Sequence, residues 1–147
     1  MEIRPAREGD RAGVEGLLRG AGLPWEDVGA HFGAFLVGER GGALVACAGL
    51  ELLGAEALVR SVAIVAPLRS AGLGAALCDT LLGDARRRGV RDAYLLTTTA
   101  PGFFARLGFA PIARGAAPAA VRATREFTEL CPASAVVMHR ALAHPPG

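Results

Sequence analysis

Apolar positions along the chain change period several times, and each change marks an element. Leu58-Val59-Arg60-Ser61-Val62-Ala63-Ile64-Val65 is long enough, and rich enough in β-branched residues, to be a buried strand. Beyond it Leu73, Leu77, Leu81 and Ala85 recur every fourth residue, on one side of a helix over 73–88 that Gly89 closes after Arg86-Arg87-Arg88. Ahead of it, residues 2–4 read as a strand, and Arg7-Glu8-Gly9-Asp10 caps a helix carrying Val14, Leu17 and Leu18, which Gly20-Ala21-Gly22-Leu23-Pro24 ends. Residues 25–31 form a short helical turn or loop around Trp25, which can line a pocket or plug a helix end. Strands over 34–39 and 43–52 meet at the hairpin signal Arg40-Gly41-Gly42, and Leu53-Gly54-Ala55-Glu56 leads back into the strand at Leu58.

Downstream, residues 92–98 return as a strand parallel to the one before the helix, a right-handed βαβ crossover. A short helix over 100–107 stopped by Gly108, a strand over 109–113, a loop with a helical turn over 118–128, a strand over 133–142 and a frayed tail over 143–147 complete the pattern. The fold class is α/β (α+β), a mixed sheet whose antiparallel strands precede a parallel pair. If Gly54-Ala55 is a two-residue turn, position 51 opposes 58 and 49 opposes 60. Glu51 and Arg60 then lie diagonally on one face, within reach of each other.

Composition narrows this to one domain over 1–147: the chain has 147 residues and 15.1 kDa, 52% of them hydrophobic, with mean hydropathy +0.36. The net charge of +2 is mild and all sixteen basic residues are arginine, so Schiff-base chemistry is excluded and the Arg86–Arg88 cluster reads as a solvated helix end rather than a nucleic-acid patch. Met1-Glu2-Ile3-Arg4-Pro5 is no signal sequence, and Glu51, Glu56 and Arg60 interrupt the most apolar region, so no membrane span and a cytoplasmic location are expected. Cys47, Cys78 and Cys131 form no C-x-x-C pair, and His31, His139 and His144 are dispersed; the expectation is reduced thiols and no metal.

The chemistry centres on Arg69-Ser70-Ala71-Gly72-Leu73-Gly74-Ala75, an R-x-x-G-x-G loop opening the long helix. Backbone N–H groups at a helix N-terminus suit a phosphate, and glycine lets it approach. No Lys-Ser/Thr follows and the spacing is not G-x-G-x-x-G, which counts against Walker and dinucleotide sites. A second stretch, Leu95-Leu96-Thr97-Thr98-Thr99-Ala100-Pro101-Gly102-Phe103-Phe104-Ala105-Arg106-Leu107-Gly108-Phe109, completes a pattern that resembles the GCN5-related N-acetyltransferases (GNAT superfamily): their R/Q-x-x-G-x-G/A loop matches Arg69 to Gly74 and their FY-x-x-x-GF helix matches Phe103 to Phe109. Within the superfamily, 95–99 and 130–138 look like the arsenic-resistance-associated group and, more distantly, the acetyltransferase domain of N-acetylglutamate synthase.

The resemblance implies an acyltransferase with acetyl-CoA as cosubstrate, and a splayed parallel strand pair around the cofactor. The main chain of Val62, Ala63 and Ile64 would meet the pantetheine arm, Arg69 to Ala75 the pyrophosphate, and Phe103 or Phe104 would flank the arm. Glu51 is the candidate base, acting through water, or else the partner of Arg60 in a structural ion pair. Arg60, a guanidinium on an apolar strand, suits an acceptor's carboxylate, phosphinate or arsonate, with Ser61, Thr97, Thr99 and Ser134 on the acceptor side. Phe104 stands where many members have the tyrosine that protonates the leaving thiolate; Tyr94 does not match it, leaving solvent, Thr99 or Ser134. Pro132 replaces a basic residue of the synthase, turning the expectation away from glutamate itself.

The expected function is acetylation of a small amino-acid-like acceptor, including arsenic- or phosphorus-containing amino acids. The alternatives are a broad-specificity amine or protein acetyltransferase and a non-catalytic arsenic-binding module built on the three cysteines. Nucleic acid and membrane are not expected partners, and a homodimer is left open.

Overall fold

The computed structural model describes residues 1–69 and 72–142. The strands are β1 (Glu2–Pro5), β2 (Phe35–Arg40), β3 (Ala43–Leu53), β4 (Glu56–Ile64), β5 (Asp92–Thr97), β6 (Ala110–Ile112) and β7 (Val136–Ala141); they form a seven-stranded sheet in the order β1-β2-β3-β4-β5-β7-β6. Pairing is antiparallel except for β4 with β5, where Glu56, Ala57 and Leu58 oppose Asp92, Ala93 and Tyr94 in parallel. The helices are α1 (Arg11–Gly20), α2 (Val28–His31), α3 (Leu73–Arg87), α4 (Pro101–Arg106) and α5 (Ala119–Arg122). Two compact units divide the chain, Met1–Glu51 with Val59–Asp84, and Leu52–Leu58 with Ala85–Gly147.

In the first unit the β2–β3 hairpin turns at Gly41 and Gly42, with φ of 59° and 81°. Two successive left-handed residues make the type I′ geometry whose twist matches the strands it joins, and Arg40 pairs with Ala43 directly across it. The core gathers Val14 and Leu18 of α1, Val28 of α2, Phe32, Phe35, Val37, Cys47 and Ala63. Trp25 packs against this cluster with the Arg19 guanidinium 3.8 Å from its ring centre. On α3 the every-fourth-residue row is realised, with Leu77 and Leu81 fully buried; each such side chain contributes about 1.5–3 kcal/mol through burial.

An ion pair at the edge gives this unit an acid-sensitive element. Arg4 donates to Asp10 at 2.8 and 3.1 Å and to Glu39 at 2.8 Å. The Arg4 guanidinium, with a further hydrogen bond from the Arg7 amide, lowers the Asp10 carboxyl to about 2. A depressed carboxylate stabilises the fold above its unfolded pKa near 4 and loses that contribution as pH falls toward its folded value. The Tm gap between the parent and Asp10→Asn should therefore be constant above pH 5 and close between about pH 4 and 2. A gap unchanged down to pH 2 would show that the pair adds nothing.

In the second unit α3 ends as its sequence predicts: Gly89 has φ 87° and the Val90 amide returns to the Ala85 carbonyl at 3.0 Å. The core is Leu58, Tyr94, Ala117, Val121 and Val137. Two elements differ from the sequence pattern. The last strand is shorter than 133–142 because Pro132 and the turn it makes, with Ala135 N–H bonded to the Pro132 carbonyl at 3.0 Å, delay pairing until Val136. The segment over 118–128 holds α5, and a wide π-type turn, Glu126–Leu130, follows it where Thr124 diverts main-chain bonds: its hydroxyl donates to the Val121 carbonyl at 2.8 Å and accepts from the Phe127 amide at 3.3 Å. The predicted tail over 143–147 lies outside the described residues. No described helix is long and apolar enough to cross a membrane.

Candidate active site

The two-residue turn at Gly54-Ala55 exists, with Gly54 at φ 77°, and it brings Glu51 and Arg60 together as the register predicts. Arg60 Nη1 donates to Glu51 Oε1 at 3.1 Å. The stronger partner was not singled out in the sequence. Asp27, at the N-terminal boundary of α2, makes no capping bond of its own; instead both its carboxylate oxygens accept from Arg60, Oδ2 from Nη1 at 2.6 Å and Oδ1 from Nη2. Nε of Arg60 donates to Ser61 Oγ at 3.1 Å. The Arg60 side chain is 0% exposed, Asp27 4% and Glu51 9%.

A fork on a carboxylate is the geometry in which a guanidinium can be buried at all. Burial alone would raise the Asp27 carboxyl, but the Arg60 hydrogen bonds, the Arg60 charge and His31 outweigh it and hold the group below its ordinary range. His31, at the other end of α2, sets Nε2 3.4 Å from Glu51 Oε1 and 3.9 Å from Asp27 Oδ2, and its side chain is 27% exposed. The spacing of Asp27 and His31, four apart across one helical turn, puts both on the face that meets the hairpin. That spacing, together with an apolar-strand arginine needing carboxylates, was the available signal for both residues. One ligand atom each of Asp27, His31 and Glu51 lies within 4.8 Å of the others, so histidines dispersed in sequence do not preclude a metal-sized cluster. Arg60 already claims both Asp27 oxygens and Oε1 of Glu51.

Directly after Arg60, Ser61 has φ 59°, a left-handed conformation in the middle of β4. Its carbonyl accepts from Cys47 Sγ at 3.3 Å. The registered β4–β5 pairs end at Leu58 opposite Tyr94, before this kink. Val62 and Ile64 are half-buried and Ala63 is buried. Past the strand, Arg69 Nε donates to the Ile64 carbonyl at 3.0 Å, and Gly72, at φ 77°, offers its carbonyl to the Ala76 amide at 3.2 Å as the first acceptor of α3. A left-handed residue at that point favours glycine. The amides of Leu73, Gly74 and Ala75 are first-turn donors without an intrahelical carbonyl. Ser70 and Ala71, expected to complete the phosphate cradle, lie outside the described residues.

The remaining sequence candidates lie in the second unit. Phe104 is buried edge-on between Phe103, ring centres 5.0 Å apart, and Phe109 at 6.0 Å. Thr97 is buried with its hydroxyl accepting the Ala100 amide at 3.0 Å just ahead of α4, while Thr99 and Ser134 are exposed. Tyr94 is buried against His139, and burial raises its phenol. Cys47 and Cys78 are buried and Cys131 is half-buried. Burial pushes the Cys47 and Cys78 thiols up to about 12, and Cys131 Sγ donates to Glu126 Oε2 at 3.4 Å.

The left-handed Ser61 in β4, the positive-φ Gly72 ahead of α3 and the buried cluster of Asp27, Glu51, Arg60 and His31 all lie in the first unit. The family model for the acetyltransferase (GNAT) domain matches residues 31–111, and the chain belongs to this family of acyltransferases. Among solved structures it is similar to N-acetylglutamate synthase from Neisseria gonorrhoeae complexed with coenzyme A and N-acetyl-glutamate, with TM-score 0.84 and 22% identity over 97% of this chain and 35% of that one. It thus spans about a third of the synthase. It is also similar to Rv2747 from Mycobacterium tuberculosis, solved in complex with CoA, with TM-score 0.83 and 24% identity over 97% of this chain and 100% of that one. The ribosomal-protein-S18-alanine N-acetyltransferase from Escherichia coli shares the fold at TM-score 0.73 and 16% identity, over 99% of this chain and 96% of that one.

Proposed function

We propose that the protein transfers the acetyl group of acetyl-CoA to the amine of a small amino-acid-like molecule, as one domain. The observation that supports an amine acceptor is the charge of the buried cluster, in which Asp27 and Glu51 set two carboxylates against the Arg60 guanidinium. A negative site draws an ammonium, and Glu51 is the group in it proposed to take the proton. Glu51 accepts that proton through water, the freed amine attacks the thioester carbonyl, the main chain near Val62 donates to the developing oxyanion, and the carbon–sulfur bond breaks as the thiolate leaves. The pantetheine arm runs along Val62 to Ile64 as an added strand, and the pyrophosphate lies on the N-terminus of α3. With phenylalanine at 104, the thiolate takes its proton from solvent or from the exposed hydroxyl of Thr99 or Ser134.

Because Arg60 is engaged by Asp27 and Glu51, it acts as the scaffold that fixes both, and the acidic group of the acceptor is read elsewhere, with Ser134 the candidate donor. Arsenic- and phosphorus-containing amino acids remain within the acceptor class, supported by the resemblance of 95–99 and 130–138 to the arsenic-associated group. A protein or broad amine acceptor is the second reading, favoured by the likeness to the S18-alanine acetyltransferase. The thiol module is disfavoured by Cys47 and Cys78 thiols held near 12, since trivalent arsenic binds thiolates.

The test is CoA release from acetyl-CoA with amino acids, arsinothricin-like and phosphinothricin-like compounds, polyamines and peptides. Turnover confined to small amino acids is expected, and it should persist when Cys47, Cys78 and Cys131 are all replaced by alanine. Preference for peptides would move the protein to the second reading; stoichiometric trivalent-arsenic binding without turnover would establish the third.

A further inference from the structure

We propose that His31 is the exit for the proton that Glu51 takes from the acceptor, a positioning and relay residue acting through Glu51. The inference rests on the proton-accepting role of Glu51 given above. Glu51 is almost enclosed, and so are Asp27 and Arg60, to which it is linked; of these connected groups His31 is the one with substantial solvent access, 27% of its side chain. The water on the acceptor side is the route by which the proton reaches Glu51, so repeated turnover calls for a separate exit to bulk. The imidazole, with Nε2 3.4 Å from Glu51 Oε1, is placed to take the proton and return it to bulk. The bonds balance: the acceptor N–H breaks through water as Glu51 O–H forms, then Glu51 O–H breaks as His31 Nε2–H forms, and the imidazolium loses a proton to solvent. Imidazole can accept a proton at one ring nitrogen and pass one on, which suits it to a relay.

The charged groups around His31 favour this handling. Asp27, on its own helix, and Glu51, from β3, both stabilise an imidazolium, while Arg60 from β4 is bonded to both acids and holds them in place. From α1, Arg11 lies over Gly29 on α2, and its charge is offset by Glu8 at 3.9 Å and Glu15 at 4.0 Å; Glu26 precedes the helix. Arg60 and Asp27 thus position Glu51, and Glu51 with Asp27 orients His31, in the manner of a base held by a third group.

His31→Gln keeps a hydrogen-bonding side chain of similar reach without a titrating nitrogen. Its kcat/KM at pH 7 should fall about tenfold or more, with acetyl-CoA affinity and Tm unchanged, and added imidazole should restore a large part of the rate. The pH profile should lose one inflection that the parent shows. A second measurement needs no acceptor: the His31 imidazole, assigned by its absence in His31→Gln, is titrated by NMR in the parent and in Glu51→Gln. Its pKa should drop clearly in Glu51→Gln as the facing charge disappears. Parent-like rates in His31→Gln, a loss that imidazole does not relieve, or an imidazole titration indifferent to Glu51→Gln would each overturn the relay. So would activity of the parent abolished by EDTA and restored by zinc, which would make Asp27, His31 and Glu51 a metal site instead. If the parent acetylates nothing in the acceptor panel while the two side chains still titrate as a pair, the proposed function fails and the proton coupling stands.

Discussion

Gly72→Asp should weaken acetyl-CoA binding by roughly a hundredfold or more, while Gly72→Asn loses far less. The comparison is built to separate charge from backbone. Gly72 has φ 77° and open space where a Cβ would project, so any side chain there meets conformational cost rather than collision. Asn and Asp are the non-glycine residues that tolerate this region best, and they have nearly the same size. Asp at the start of α3 even favours the helix through the dipole, so the variant folds. What it adds is a carboxylate in the place proposed for the pyrophosphate. Calorimetry giving the two variants equal affinity would remove the phosphate from this loop.

Arg60→Ala should destabilise the fold by about 3–5 kcal/mol, the effect of leaving buried carboxylates without their counter-ion. Adding Asp27→Asn should recover part of that loss, because one of the stranded charges is then gone, so the two changes are strongly non-additive. The sequence alone, with Arg60 on the acceptor side and Glu51 as its partner in the empty enzyme, suggests a different result, a raised KM for the acceptor with little change in acetyl-CoA affinity. Denaturant unfolding separates the two. A variant that unfolds like the parent but binds acceptor poorly would return Arg60 to the acceptor side.

The skeleton of the fold was legible because its signals are local. The Gly41-Gly42 turn, the every-fourth leucines of α3 and the Gly89 stop each depend on neighbours in sequence, and each is found as read. The place of β7 between β5 and β6 was not legible, since nothing local to residues 136–141 states which edge it will join. The candidate site divides along the same line. Glu51 and Arg60 could be paired through a two-residue turn, but Asp27, just before the four-residue α2, and His31, its last residue, reach them from a segment whose one signal is their spacing of four. The kink at Ser61 was equally hidden, because a serine in a run of β-branched residues gives no sign of a left-handed φ.

The buried cation of the cluster is a guanidinium, and this matters in a protein that handles an activated acyl group. A lysine at position 60, enclosed as Arg60 is, would be driven toward its neutral form. A neutral amine on the strand proposed to carry the thioester would be a nucleophile competing with the acceptor, and acylating it would cancel the charge that holds Asp27 and Glu51. Arginine keeps its proton under these conditions and does not attack thioesters. With no lysine anywhere in the chain, the same immunity extends to the surface, and no ε-amine of the enzyme can become its own product.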